Sequence, residues 1–252
     1  MSPLYQHLRV NKEQFLFHVL PAGRASLRRL QVLRDSQRGQ RCFILGNGPS
    51  LRRTDLSLLR NEITFGLNRI YLLFPEMGFQ TTYLVAVNRL VLEQCAAEIF
   101  ALPVLKFIPW SARKYLRPPL ENTVFLNTTC SHTDFARDAR RPIWAGATVT
   151  FVALQLAYHM GFEKVILVGV DHSFATQGKP HETIVSQGDD PNHFSPHYFG
   201  KGFKWQLPDL ETSEIAYRMA RQAFEKDGRQ VLDATIGGKL TIFEKVDYHS
   251  LF

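Results

Sequence analysis

The chain changes rhythm near residue 41. Before it, apolar positions recur at helical spacing. Leu16, Val19 and Leu20 form one patch, and Leu27, Leu30 and Leu33 another. This predicts a mostly helical arm over residues 1–40. After it, short apolar runs alternate with turn residues and longer periodic stretches. Strands are predicted at 41–45, 63–67, 82–87, 104–108, 123–126, 164–170 and 230–232. Helices are predicted at 148–160, closed by Gly161, and at 210–226, closed by Gly228. Strand–helix alternation of this kind gives an α/β fold with a mostly parallel sheet. A polar stretch rich in His, Gly, Pro and Asp fills 172–209. It is too long for an ordinary connection, so a lid is expected there.

The first strand ends abruptly in Gly46-Asn47-Gly48-Pro49-Ser50. A strand, a tight turn and a short helix capped by Thr54 or Asp55 are expected. Consecutive backbone N–H groups in such a turn converge on one point and suit a phosphate. The motif is incomplete in two ways. No Gly-Lys-Ser/Thr follows, and Leu51 stands where a dinucleotide fingerprint has its third glycine. A plain strand-to-helix turn competes with the phosphate reading. A second such turn, Trp144-Ala145-Gly146-Ala147-Thr148, could add another phosphate contact or serve only as a threonine cap.

Other polar residues fall where strands end: Asn68, Asn88 and Asp171-His172. Ligands of open α/β sheets bind at the carboxyl ends of the strands. Asparagine donates and accepts, which suits a base or ribose; Asp171 would fix the loop or contact a ribose hydroxyl. Asp171-His172-Ser173 does not read as a hydrolase triad, because no Gly-x-Ser-x-Gly elbow is present. His193 and His197 lie four apart, but Pro196 argues against a helix that would bring them to one metal. Either is a candidate general base.

The formal charge of +7 is spread over scattered arginines rather than one run. That favours anionic small molecules or a membrane surface over nucleic acid. Cys42, Cys95 and Cys130 have no metal or redox spacing and read as reduced thiols of a cytoplasmic protein. No secretory leader or apolar run of transmembrane length is visible. There is no Asp-x-Asp pair, which points to a metal-free reaction or a donor with one phosphate.

Four blocks resemble a known family. They are Ile-Leu-Gly-Asn-Gly-Pro-Ser-Leu (44–51), Phe-Gly-Leu-Asn-Arg-Ile-Tyr (65–71), Met-Gly-Phe-Glu-Lys-Val-Ile-Leu-Val-Gly-Val-Asp-His-Ser (160–173) and Asn-His-Phe…Tyr-Phe-Gly (192–200). Together they are similar to the motility accessory factors and the 6-hydroxymethylpterin diphosphokinase-like domains. The first three also resemble bacterial CMP-sialic-acid-dependent sialyltransferases. The likeness spans roughly 40–247.

The resemblance implies a Rossmann-like catalytic domain over 41–252 that binds a nucleotide sugar. It implies transfer of a nonulosonic (sialic-like) acid from a CMP-sugar to a glycan or protein hydroxyl, with inversion and without metal or other cofactor. Gly46, Asn47, Gly48, Pro49, Ser50, Asn68, Asn88, Gly146, Thr148 and Asp171 would hold the nucleotide. His193, or else His197, would be the base. The sialyltransferases have tyrosines after the strand matching 164–170; here His172, Ser173 and Phe174 stand there, so His172, Tyr198 or Lys201 would assist the leaving group. Lys179, Lys201 and Lys204 would offset negative charge. A homo-oligomer is expected, with room for peripheral membrane contact. The alternatives are a Mg-dependent diphosphokinase using Asp189 and Asp190, and a non-catalytic nucleotide-binding protein.

Overall fold

A computed structural model describes residues 12–115, 120–129 and 133–252; Cys130 lies outside them. The sheet is built on β1 (Arg41–Leu45) and β8 (Lys164–Val168), whose apolar runs are buried on both faces. Two-sided burial is what a continuous apolar run, rather than an alternating one, encodes. To one side of β1 lie β2 (Thr64–Leu67), β3 (Tyr83–Val85), β4 (Leu105–Pro109) and β5 (Thr123–Leu126). On the other, beyond β8, lie β11 (Gln230–Asp233) and β12 (Glu244–Lys245). The eight strands run in the order β12-β11-β8-β1-β2-β3-β4-β5, and every pair is parallel. The fold is therefore Rossmann-like. The chain leaves β1 in one direction and returns to β8 on its other flank. The gap between their carboxyl ends is the topological switch point, where such sheets bind ligands.

Helices cover both faces. α5 (Val149–His159) is buried along every residue from Thr150 onward and packs beneath β1, β2 and β3. α6 (Leu210–Lys226) lies beside it. On the other face, after the one-turn α3 (Phe74–Met77), α4 (Arg89–Ala101) packs with Phe194, Tyr198, Phe199 and Trp205 of the segment 172–209. That segment carries an unpredicted hairpin, β9 (Thr183–Val185) paired antiparallel with β10 (Lys204–Gln206). A two-strand ladder, β6 (Thr128–Thr129) with β7 (Ile143–Trp144), was also not expected.

The arm docks on its own chain. Helical residues 12–19 (α1) lead into α2 (Pro21–Leu33), a new helix started by Pro21. The break resets the helical phase. Phe17 is buried against Trp110, ring centroids 5.5 Å apart, while Val19 and Leu20 of the predicted patch are exposed. α2 covers the edge strand β5: Ser26 Oγ accepts the Phe125 N–H at 2.9 Å, and Arg29 donates to the Thr123 carbonyl at 3.2 Å. Covering an edge removes a template for unwanted strand pairing.

His159, at the end of α5, fastens α2 to the core. Nε2 lies 2.8 Å from the Leu30 carbonyl, and Nδ1 faces the Ala139 N–H at 3.3 Å. Burial lowers its pKa, outweighing the nearby Asp138. The unfolded chain therefore binds a proton more readily than the folded one. His159 costs no stability above its unfolded pKa of about 6.5, and stability falls as pH drops below that value. Thermal melts from pH 8 to 5 should show this decline, and His159→Gln should shrink it relative to wild type.

Cys42, in β1, is fully buried, and its thiol pKa is raised by that burial, so it packs as a small apolar residue.

Candidate functional site

A cavity of about 630 Å³ opens at the switch point. Its floor is the Gly46–Gly48 turn, its sides are the ends of β2, β3 and β8, and the segment 172–209 closes over it.

The backbone donors of Gly46, Gly48 and Ser50 in the glycine turn are used within the chain. Gly46 N–H donates to the Val168 carbonyl at 2.8 Å and Gly48 N–H to the Gly169 carbonyl at 2.9 Å. Asp171 accepts from Ser50 N–H at 3.1 Å and from Ser50 Oγ at 2.6 Å. These donors are satisfied within the chain. What the glycines allow is contact between the β1 and β8 loops. A Cβ on Gly46 would lie 2.2 Å from the Gly169 carbonyl oxygen, and one on Gly48 would lie 1.8 Å from Asp171 Oδ2. Pro49 begins a short 3₁₀ turn, Pro49–Arg53, and with Ser50 stands behind the cavity lining; Asp55 caps the next turn, Leu56–Leu59. Predicted strand 164–170 stops at Val168 because Gly169 takes φ 73° and turns the chain toward Asp171. Asp171 is thus the loop's fastener.

Three asparagines reach the cavity in different states. Asn47 Oδ1 and Asn68 Oδ1 are buried without a hydrogen-bond partner among the described residues, and Asn68 sits at φ 46°. Asn88 Oδ1 is committed to capping α4, accepting from Leu90 N–H (2.9 Å) and Val91 N–H (3.2 Å). The second turn also reaches the cavity. Gly146 and Ala147 both adopt positive φ, 57° and 58°, which aims the start of α5 at the opening. Thr148 caps α5 through Thr150 N–H, and its Oγ1 lies 3.3 Å from Tyr217 OH.

The two lid histidines separate cleanly. His193 lines the cavity; its Nδ1 lies 2.7 Å from Asp190 Oδ2, and its ring stacks on Tyr198 at 3.9 Å. Asp190, only 3% exposed, also accepts from Asn192 N–H at 2.8 Å and Phe199 N–H at 3.1 Å. A carboxylate so held fixes the imidazole's tautomer and leaves Nε2 for chemistry. His197 is exposed and outside the lining; its part is a carbonyl that accepts from Arg69. Tyr198 lines the cavity, but its hydroxyl faces Arg69 N–H at 3.4 Å, and burial raises its pKa. Lys179, Lys201 and Lys204 are exposed and off the lining; Arg89, at the start of α4, lines the rim and is paired with Glu93 at 2.7 Å. Asp189 is exposed while Asp190 turns inward to His193, so the adjacent pair diverges.

Two arginines latch this segment to the sheet. Arg52 Nε donates to the Phe194 carbonyl, and Phe194 N–H donates to the Asn47 carbonyl at 2.9 Å. Arg69, buried beneath Phe203, donates to the carbonyls of Tyr198 and His197 and to Tyr71 OH. Gln94 of α4 holds the hairpin through both backbone groups of Lys204, at 2.8 and 2.9 Å.

Comparison with known proteins fits this frame. Residues 20–177 match the 6-hydroxymethylpterin diphosphokinase MptE-like family. This chain belongs to the MptE-like family. Among solved structures, a MAf glycosyltransferase from Magnetospirillum magneticum AMB-1 superposes with a TM-score of 0.56 at 14% identity, over 87% of this chain and 35% of that one. At that identity the likeness is one of fold, and this chain spans about a third of that protein's length. Curated protein sequences give no match.

The MptE-like match covers α2 of the arm, the sheet through β8 and His172, and stops before Asp190 and His193. Several site residues of this MptE-like chain escape a reading of the sequence. Asp190 is read there only as half of an acidic pair, and its role toward His193 is signalled by nothing but their spacing of three. Arg69 follows Asn68 directly, but nothing local marks its burial. Arg52 and Gln94 act on backbone carbonyls and amides, which leave no trace in sequence.

Proposed function

We propose that this MptE-like protein is a glycosyltransferase that moves a nonulosonic acid from a CMP-sugar to an acceptor hydroxyl, with inversion and without a metal. The observation that carries the reading is the buried Asp190 holding His193 in the cavity at the carboxyl ends of the strands. His193 Nε2 takes the acceptor's proton as the anomeric carbon develops positive charge, and the nucleotide departs from the opposite face. Asn47 and Asn68, whose buried oxygens have no hydrogen-bond partner among the described residues, are the groups offered to base and ribose. The rim arginine Arg89, paired with Glu93 at 2.7 Å, is placed to meet an anionic donor at the mouth. The absence of Asp-x-Asp in the sequence accords with a donor carrying one phosphate. The fold likeness to a MAf glycosyltransferase is compatible with transfer from an activated sugar.

The family's description keeps a second reading open, a Mg-dependent pterin diphosphokinase. That reaction needs carboxylates free to bind the ion. Asp190 is committed to His193, and Asp171 to Ser50. Thermal shift with CMP, CDP, UDP, GDP and ATP, each with and without Mg²⁺, separates the two. A ligand at about 100 times its Kd adds roughly 2.7 kcal/mol, or a Tm rise of roughly 5–10 °C for a domain of this size. A metal-independent rise with CMP or CDP supports the transferase. A rise confined to ATP with Mg²⁺ overturns it.

Asp190→Asn tests the base directly. The carboxylate holds the ring through Nδ1, and an amide in its place no longer fixes the tautomer. Turnover then drops about 10²-fold. Release of CMP from a CMP-nonulosonic acid measures it.

A further inference from the structure

His193 is held on more than one side. Asp190 meets its Nδ1 edge, and that single contact leaves the ring free to swing about it. The Tyr198 ring removes the freedom. The two planes lie 7° apart with centroids 3.9 Å apart, and Phe199 closes a flank edge-on at 5.0 Å. The other histidines of the cavity have no such wall. His172 Nε2 lies 3.2 Å from Glu214 on α6, and His181 Nε2 lies 3.2 Å from Asp209. Among the described residues neither is stacked face to face on a ring; His172 meets Tyr217 only at an angle of 62°.

What holds Tyr198 is one residue of the sheet. Arg69 follows the end of β2, next to Asn68, and is 5% exposed. Its backbone N–H donates to the Tyr198 hydroxyl at 3.4 Å, and its guanidinium donates to the Tyr198 carbonyl, so the tyrosine is gripped at both ends. The same guanidinium stands 5.7 Å from the Tyr198 ring centroid. Its Nε donates to Tyr71 OH at 3.2 Å, and Tyr71 OH donates to Glu98 of α4 at 2.5 Å. Its Nη2 lies 3.6 Å from that carboxylate. One planar group thus serves a hydroxyl, two carbonyls and a carboxylate in fixed directions, which a lysine ammonium cannot do.

We propose that Arg69 is the positioning residue for the base, acting through Tyr198. This rests on the transferase reading above. Asp190 sets which nitrogen of His193 is free, and the Tyr198 ring sets the plane in which that nitrogen points. Both belong to the lid segment, whereas Asn68, the neighbour of Arg69, lines the cavity from the sheet. Arg69 therefore ties the group that takes the acceptor's proton to the side that receives the nucleotide. Such groups work only when held within about 0.5 Å of their productive place by packed, hydrogen-bonded supports. A misplacement of about 1 Å costs on the order of 10²-fold in rate. Arg69 touches neither substrate in this scheme; its whole effect passes through the stacked ring.

NMR of histidine-labelled protein tests this, with His193→Gln to assign the signals. In wild type the His193 ring protons stand over the face of Tyr198 and should resonate upfield of the other histidines. Arg69→Lys should return them toward the position of a free imidazole. Tyr198→Leu should do the same, whereas Tyr198→Phe keeps the ring and the displacement. In CMP release from a CMP-nonulosonic acid, Arg69→Lys should lower kcat about 10²-fold and leave KM for the donor within about threefold, a split that general loosening of the cavity would not give. If Arg69→Lys does not fold, Tyr71→Phe, which removes only the acceptor at Nε, is read in the same way with a drop of about fivefold. Unmoved His193 signals and wild-type kcat in a folded variant overturn the proposal and leave the transferase reading standing. A wild type that releases no CMP overturns the transferase reading, and the His193 signals alone then decide whether Arg69 places the ring.

Discussion

Replacing His193 with alanine should cut turnover by about 10²- to 10⁴-fold while leaving the affinity for CMP within about twofold. The split follows from geometry. His193 is held by Asp190 and by the Tyr198 ring, both on the lid segment, whereas the buried amide oxygens of Asn47 and Asn68 sit on the sheet side of the cavity. Losing the imidazole removes the proton acceptor and little of the nucleotide's surroundings. His197→Ala is the matched comparison. Its side chain is exposed and its contribution is a carbonyl, which alanine retains, so turnover should stay near wild type. CMP release and calorimetry on the two variants give four numbers. Equal turnover in wild type and His193→Ala would remove His193 as base.

The second large effect is on stability. Gly46→Ala puts a methyl group 2.2 Å from the Gly169 carbonyl oxygen, and both partners are backbone at the join of β1 and β8. No side chain can rotate away to relieve the overlap. The strands must separate, which breaks the 2.8 Å bond from Gly46 N–H to Val168 and disturbs the turn below the cavity. Overpacking of this kind costs about 3 kcal/mol, equivalent to a Tm loss of roughly 6–12 °C for a chain of this length. Gly188→Ala, where an added Cβ meets nothing within 4 Å, should melt within about 1–2 °C of wild type. A Gly46→Ala protein as stable as wild type would mean that the two loops approach less closely than described.

Much of the sheet can be read from the chain because buried parallel strands announce themselves. Arg41–Leu45 and Lys164–Val168 are unbroken apolar runs with turns at their ends. Weakly amphipathic elements do not. α4 has apolar residues on several sides and a non-helical turn at Cys95, which blurs its period. The hairpin strand Thr183–Val185 is largely exposed and carries no alternation to detect. The glycine turn was legible as a turn, but its long-range partner was not. Its partner is Asp171, 121 residues away, and no local pattern reveals that the carboxylate takes the Ser50 donors a phosphate would have used. For His193 and His197 the sequence offered two loop histidines, and His193 led only through the family resemblance. Only packing, with one turned to a buried carboxylate and one to solvent, tells them apart.

The latch that holds residues 194–198 has an implication for how such proteins diversify. Arg52 and Arg69 grip main-chain oxygens of Phe194, His197 and Tyr198, and Asn47 meets Phe194 through main chain on both sides. Every residue type carries those oxygens. The grip is therefore indifferent to which side chains occupy the segment. Mutational drift there can recolour the mouth of the cavity, and so the molecules it admits, while the two arginines keep the segment seated in the same place.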